Sequence, residues 1–320
     1  MEFRELIRAE LAQFNRDFPK AFSSKVALLD LILRYVVRQK GKQLRPSLVF
    51  LVAKALGEVS DRTYRGATLV ELMHTATLVH DDVVDEAAVR RSMFSISALW
   101  KNKVAVLVGD YMLSRVLLLA VDSGDHDLLK LVSTAVRAMS EGELLQIEKA
   151  RRLDIDEAVY YDIIQKKTAS LMASCCAVGA ASVGADEATV RRAEAFGDAL
   201  GMGFQIQDDL LDYQAFGESG KPAGIDVRDQ KMTLPLIFAL QQADSATKKE
   251  LMRIVRRKSN DPERIRRLMT EVARLGGLDY AKKQRDAYLS EARRILAEFP
   301  ASEARSALEV LVDFVGQRAK

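Results

Sequence analysis

The 320-residue chain is short of several things: it has two cysteines, six prolines and a net charge of only +3. Each shortage excludes something. Cys175 and Cys176 are adjacent, so on a helix they point in different directions, and no second cysteine pair exists for a zinc site; they read as reduced core thiols. The near-neutral balance gives no support to general nucleic-acid binding. A basic-then-apolar secretory opening is missing, since Met1-Glu-Phe-Arg-Glu5 begins acidic and mixed, and a cytoplasmic location is expected. The uncharged run from Thr168 to Ala185 has the length of a membrane span. It is built mostly of Ala, Ser, Gly, Thr and Cys, however, which suits a tightly packed internal helix better than a bilayer, and no transmembrane segment is expected. Strand-like alternation, Gly/Ser-rich linkers, low-complexity tracts and solenoid repeats are also absent.

What is there is helical periodicity. Hydrophobic residues at 48% and charged residues at 29% describe a globular chain long enough to bury a large core. The prolines fall where helices start or connect. Two helices are expected in residues 1–40, separated near Phe18–Ser24. The connection Gly41-Lys-Gln-Leu-Arg-Pro46 follows, and Pro46 opens an apolar helix to about Leu56. Ser60 or Asp61 caps the next, long helix. Further helices are expected over Val104–Val121, Asp127–Ala150 and Ile155–Val183, and the Gly-rich stretch Phe216–Gly224 reads as a mobile lid. The sum is an all-α chain of ten or more helices in a single domain, residues 1–320.

That long helix, Glu71 to Asp85, ends in three carboxylates. Asp81 and Asp85, four apart, share a face, and Asp82 lies about 100° round from them. Like charges this close need positive compensation, or some must stay protonated; a divalent cation with a taste for oxygen is the simplest compensation. The pattern returns in Gly203-Phe-Gln-Ile-Gln-Asp-Asp-Leu-Leu-Asp212, with Asp208, Asp209 and Asp212 at the same spacing. One such motif is a weak signal, but two, each closing an apolar helix, point to a pair of carboxylate sets for several metal ions and a partner of high negative charge.

Basic residues gather in the same loops and helix ends. Lys42 and Arg45 sit in the Gly41–Pro46 connection, His74 lies almost two turns before Asp81, and Arg90 and Arg91 follow Asp85. Lys167-Thr168 interrupts an apolar helix, and Lys221 and Lys231 flank the Gly-rich loop. Each alone reads as surface charge. Together they supply what two diphosphates need, one bound through metal and one bound directly by Lys, Arg and His.

The stretches GKQLRP, ELMHTATLVHDDVVDEAAVRRS, LVGDYMLSR, the Lys-Thr pair, GFQIQDDLLDY, GKPAGIDVRDQKMTLPL and GGLDYA run from about residue 41 to 281. In them the chain resembles the trans (E) isoprenyl diphosphate synthases, the polyprenyl synthetase family, of medium- to long-chain type. The resemblance implies mostly antiparallel helices around a deep central cavity (the isoprenoid synthase fold), usually in a homodimer. It implies Mg²⁺, three ions per site, held by Asp81, Asp82 and Asp85 and by Asp208, Asp209 and Asp212. Lys42, Arg45, His74 and Arg91 would bind isopentenyl diphosphate. Arg90, Lys167, Thr168, Gln205, Lys221 and Lys231 would hold the allylic diphosphate, with Arg90 and Lys167 also serving catalysis. Ser92 and Lys101 depart from the family's pattern, each standing where glycine is common.

The implied reaction condenses isopentenyl diphosphate with an allylic diphosphate, farnesyl or geranylgeranyl, to an all-trans polyprenyl diphosphate. The growing chain must extend along the helix before Asp81, where Ala76 and Thr77 are small and Met73 and Val70 lie deeper. Short-chain members carry aromatics near Ala76 and Thr77, so the open face implies a product of about C30 to C50, near C40, suited to a quinone side chain. Transient membrane contact would accompany release of such a product. Competing readings are a class I terpene cyclase, which has little use for Lys42, Arg45 and Arg91, and a shorter-chain synthase. A His-Asp phosphohydrolase built on His74 and His80-Asp81 leaves the second aspartate motif unexplained. A non-catalytic helical subunit would be expected to have lost carboxylates.

Overall fold

The computed structural model of the chain describes residues 2–38, 41–90, 93–152, 154–214, 231–256 and 261–318. Among them it has fifteen α-helices, two 3-10 turns, a π turn and one tiny hairpin. Two compact units are present: residues 1–136, 172–194 and 298–310 form the first, and residues 137–171, 195–297 and 311–320 the second.

The first unit holds α1 (Arg8–Asp17), α2 (Ala27–Arg38), α3 (Leu44–Leu56), α4 (Asp61–Val84), α5 (Ile96–Trp100) and α6 (Asn102–Asp122). It also contains the first part of α7 (His126–Arg152) and most of α9 (Ser170–Ser182). Its core helix is α3: Leu48 through Ala53 are all fully buried, so the helix needs no polar stripe and its sequence has none. Each large side chain buried there contributes roughly 1.5–3 kcal/mol. Helix α4 packs on α3 and α6. Its N-terminus is closed by Ser60, whose backbone N–H donates to Thr63 Oγ1 at 3.2 Å.

The small-residue run behaves as its composition implies. Cys175, Cys176, Ala177 and Val178 on α9 are fully buried. A Cβ on Gly179 would stand 2.6 Å from the Val49 carbonyl oxygen, so the missing side chain permits close approach of α9 to α3. Both cysteines are unpaired thiols, and burial pushes that of Cys175 up to about 12.

One ionic knot ties this unit together. Asp125, only 3% exposed, accepts from Arg62 Nε at 3.1 Å and Arg65 Nε at 2.5 Å. Arg62 also reaches Asp127 and the Ala181 carbonyl, fastening the start of α4 to the start of α7 and the end of α9. Burial alone would raise the Asp125 pKa, but the two arginines reverse that and hold it below the usual carboxylate range.

Among the described residues one helix, α6, is long and apolar enough to cross a membrane, and only 33% of that stretch is buried. Val106, Leu107, Leu117, Leu118 and Val121 stand exposed along it.

The second unit contains α8 (Glu157–Ile164), a π turn (Gln165–Ala169) and the later part of α10 (Glu187–Gln214). Beyond these come α11 (Leu234–Gln242), α12 (Ser245–Arg256), α13 (Pro262–Arg274) and α14 (Gly277–Leu296); the last helix, α15 (Glu303–Gln317), ends here. Its core draws Ile206 and Leu210 of α10 together with Leu234, Leu236, Leu268 and Ala281.

One sequence expectation needs correction. The helix expected over Ile155–Val183 is interrupted by the π turn, which inserts an extra residue at the polar Lys167-Thr168 pair. Among the described residues the strands are β1 (Val89–Arg90) and β2 (Met93–Phe94), which pair antiparallel and are too short to show any alternation. The Gly-rich stretch Phe216–Gly224 with Lys221, and likewise Arg91 and Ser92, lie outside the described residues.

Candidate active site

In the first unit the site is built at the C-terminal end of α4. The helix stops at Val84, Asp85 caps it, and the Asp85 N–H donates to the Asp81 carbonyl at 2.7 Å. Glu86 then takes a left-handed φ of 50°, which turns the chain into the β1–β2 hairpin. The hairpin brings Arg90 back onto Asp82, with Arg90 Nε and Nη2 both 2.7 Å from Asp82 Oδ1. Asp82 is 4% exposed, while Asp81 is half-buried and Asp85 exposed. Burial pushes the Asp82 carboxyl above the usual range even against the pull of Arg90.

Above it on α4, Ala76 is fully buried, Met73 is 5% exposed and Thr77 is half-buried. The Thr77 hydroxyl donates to the His74 carbonyl at 2.9 Å, and His74 is itself buried. Arg45 and Glu71 lie near enough to Cys175 to act on its pKa in opposite directions, Arg45 lowering and Glu71 raising it. A cavity lined by Gly41, Gln43, Glu71, Thr75, Asp82 and Arg90 joins the Gly41–Arg45 connection to the aspartate motif. His80 turns away from it: its Nε2 lies 3.3 Å from the Val106 carbonyl and 3.5 Å from Asp110 Oδ1 on α6. Any Cβ on Gly109 would overlap that ring, so the glycine makes the seat for His80. A His-Asp hydrolase built on His80 loses its histidine by this placement.

In the second unit, four predicted and unpredicted groups form one chain. The Thr168 hydroxyl donates to Gln205 Oε1 at 2.7 Å, Gln205 Nε2 donates to Asp209 Oδ1 at 2.9 Å, and the Tyr160 hydroxyl donates to Asp209 Oδ2 at 2.7 Å. The π turn makes this register, and Gly201 allows it: a Cβ there would come within 2.5 Å of the Ala169 Cα. Lys167 is ion-paired with Glu143 and lies 3.4 Å from Gln146 Oε1. Asp209 and Asp212 are each 5% exposed, and Asp208 is ion-paired with Arg318, whose guanidinium stacks on Phe204. Lys231 is half-buried at the start of the described segment 231–256.

The model of the polyprenyl synthetase family matches residues 26–272. The chain belongs to the polyprenyl synthetase family. It is 35% identical over 314 residues to the all-trans-nonaprenyl-diphosphate synthase (geranyl-diphosphate specific) of Rhodobacter capsulatus, covering 96% of each chain. The crystal structure of a decaprenyl diphosphate synthase from Rhodobacter capsulatus superposes with a TM-score of 0.94 at 34% identity, over 100% of this chain and 99% of the other. That of a polyprenyl synthase from Caulobacter crescentus CB15, complexed with calcium and isoprenyl diphosphate, gives 0.90 at 35% identity over 99% and 97%. The fold is therefore the all-α isoprenoid synthase fold, and the enzyme is a trans-prenyltransferase of the polyprenyl diphosphate synthase class.

For a polyprenyl synthetase the donor set suits a hard divalent cation, since both motifs offer carboxylate oxygens and no thiolate or imidazole. Among the described residues no three Asp, Glu, His or Cys side chains converge on one point. Asp82, Asp208 and Asp209 are instead turned to Arg90, Arg318, Tyr160 and Gln205. Sequence reasoning missed Tyr160, Glu143, Gln146 and Arg318. Each acts across at least 21 residues of chain, and none carries a local pattern that marks it.

Proposed function

We propose that the chain condenses isopentenyl diphosphate with an allylic diphosphate, farnesyl or geranylgeranyl, to a linear all-trans polyprenyl diphosphate of about C30 to C50, near C40, with the two units working as one domain. The family match runs through both units, which supports that. The observation that carries the reading is Asp82, a buried carboxylate paired with Arg90 where α4 ends, in the cavity that Gly41, Gln43 and Thr75 also line. Relatives named for nine and ten isoprene units support a product in this range.

Asp81, Asp82 and Asp85, with Asp208, Asp209 and Asp212, would hold Mg²⁺, three ions per site by family likeness. The metal supplies charge neutralisation for the leaving diphosphate. Arg90, Lys167, Thr168, Gln205, Lys221 and Lys231 would bind and orient the allylic diphosphate. Tyr160 would hold Asp209 in place. Lys42, Arg45, His74 and Arg91 would bind isopentenyl diphosphate. The allylic C–O bond breaks with its electron pair on the diphosphate, the isopentenyl double bond forms the new C–C bond, and the released diphosphate takes the proton. Apolar walls keep water from the cation.

The exposed apolar face of α6 would be covered by a second copy, giving a homodimer. A cytoplasmic enzyme with transient membrane contact on product release, serving quinone side chains, completes the reading. Incubation with Mg²⁺, isopentenyl diphosphate and farnesyl diphosphate, followed by chromatography, tests it. Linear products of about six to ten isoprene units, centred near eight, are expected, and cyclic hydrocarbons formed without isopentenyl diphosphate would mean a terpene cyclase. In Ala76→Tyr the dominant product should shorten sharply while the first condensation survives.

A further inference from the structure

The segment Gly41–Arg45, which carries two cations of the candidate isopentenyl diphosphate site, is not shaped by its own sequence. Gln43 is the N-cap of α3 and sits at φ 50°, ψ 34°, a left-handed conformation uncommon for a residue with a side chain. No glycine or asparagine is present at that position to make it easy. Something outside the segment must hold it, and the partner is Asn15 on α1. Gln43 Nε2 donates to Asn15 Oδ1 at 2.6 Å, and Asn15 Nδ2 donates back to Gln43 Oε1 at 3.3 Å. The two amides form a reciprocal pair across 28 residues of chain.

Helix α1 is itself fixed to α3. Lys54 on α3 ion-pairs with Glu10 at 2.6 Å and donates to the Leu6 carbonyl at 2.9 Å, and Phe14 packs edge-on against Phe50 with ring centroids 6.1 Å apart. Just before α1, Arg4 donates to the Lys42 carbonyl. The backbone just before Gln43 is therefore gripped from the N-terminal segment. The Gln43 carbonyl is also used, accepting from the Ser47 hydroxyl at 2.7 Å. Asn15 and Gln43 line the same cavity as Asp82 and Arg90, so the pair borders the candidate site rather than a remote surface.

We propose that Asn15 is a positioning residue for the isopentenyl diphosphate site, acting through Gln43 to set where Lys42 and Arg45 present their charges. The proposal rests on the allocation of Lys42 and Arg45 to that substrate. A residue of this kind raises the KM for one substrate without touching the other, whereas a merely structural residue lowers stability and affects both alike.

The test uses the full chain with Mg²⁺, measuring KM separately for isopentenyl and farnesyl diphosphates, with unfolding midpoints alongside. Asn15→Ala should raise the KM for isopentenyl diphosphate about fivefold to tenfold, the scale of one or two lost hydrogen bonds. The KM for farnesyl diphosphate should stay within about twofold, inside the range of one weak contact. Gln43→Gly gives a second handle should Asn15→Ala fold poorly. Glycine adopts the left-handed conformation freely, so the backbone is unstrained while the amide is gone, and the same selective rise is expected. The exchanged pair Asn15→Gln with Gln43→Asn keeps the total reach and puts a residue tolerant of this φ at position 43, and it should recover most of the loss. An unchanged KM for isopentenyl diphosphate in Asn15→Ala and Gln43→Gly would overturn the proposal. So would equal rises for both substrates with a lowered midpoint, or an exchanged pair no better than Asn15→Ala. Arg45→Ala is the control: if it raises that KM and Asn15→Ala does not, only the positioning role fails. If Arg45→Ala leaves it unchanged, the site allocation fails and the positioning role with it.

Discussion

Asp125 and Asp82 lie in the same unit, are equally hidden, and are held in opposite ways. Asp125 is clasped by two arginines, and its pKa falls below the usual range once their bonds outweigh burial. Among the described residues Asp82 has one arginine, at 2.7 Å, and burial outweighs it, so the pKa rises. The first carboxylate is fully compensated inside the fold. The second keeps an appetite for positive charge, beside Asp81 and Asp85, and that is the state a site needs if its cation is to arrive with the substrate.

The comparison breaks most readily in kinetics. Asp82→Asn should lower turnover by at least about a hundredfold, as loss of charge stabilisation at the reacting diphosphate does, while circular dichroism shows a folded protein. Asp209→Ala should behave likewise. Asp125→Asn should stay within a few-fold of the parent, about the cost of a small positional change. Equal losses for the Asp82 and Asp125 variants would erase the distinction.

Stability should run the other way. Asp125→Asn should cost about 1–3 kcal/mol at neutral pH, since it leaves two partly exposed arginines without their acid. The sign with pH follows from the lowered pKa. The contribution of Asp125 is present above the unfolded carboxylate value of about 4 and is lost as pH falls through the folded value. The difference between the variant and its parent should therefore shrink in acid, in denaturant titrations followed from pH 7 downward. Asp82 has a raised pKa, so ionising it in the fold is unfavourable, and Asp82→Asn should leave the metal-free midpoint unchanged or higher.

The smallest expected effect is at Lys101, between α5 and α6, where φ is 73° and ψ 159°. That region belongs to glycine. Lys101→Gly should stabilise the fold by about 1 kcal/mol with turnover unchanged, readable as a rise in the thermal midpoint. A fall would mean that the lysine side chain holds the turn.

Where each motif is local, the sequence discloses it. Asp81, Asp82 and Asp85 declare themselves by spacing on a helix, Ser60 by its cap, and Lys101 by standing where glycine was expected. The polar Lys167-Thr168 pair inside an apolar helix signalled a special place, but a π turn and a continuous helix share that pattern, and the geometry came only from packing against Gly201. Tyr160 on Asp209, Asn15 on Gln43 and Arg318 on Asp208 join residues 49, 28 and 110 positions apart. No periodicity encodes such pairs. The β1–β2 hairpin was equally silent, having two residues in each strand.

The central claim is that the charge missing at Asp82 is supplied with the substrate. The direct measurement is the thermal midpoint of the parent, Asp82→Asn and Asp125→Asn, each with and without Mg²⁺ and inorganic diphosphate. A ligand that binds only the folded state raises the midpoint in proportion to its affinity. The account predicts a clear rise for the parent and an equal rise for Asp125→Asn from its lower starting point, with little or none for Asp82→Asn. A rise in Asp82→Asn as large as in the parent would contradict it.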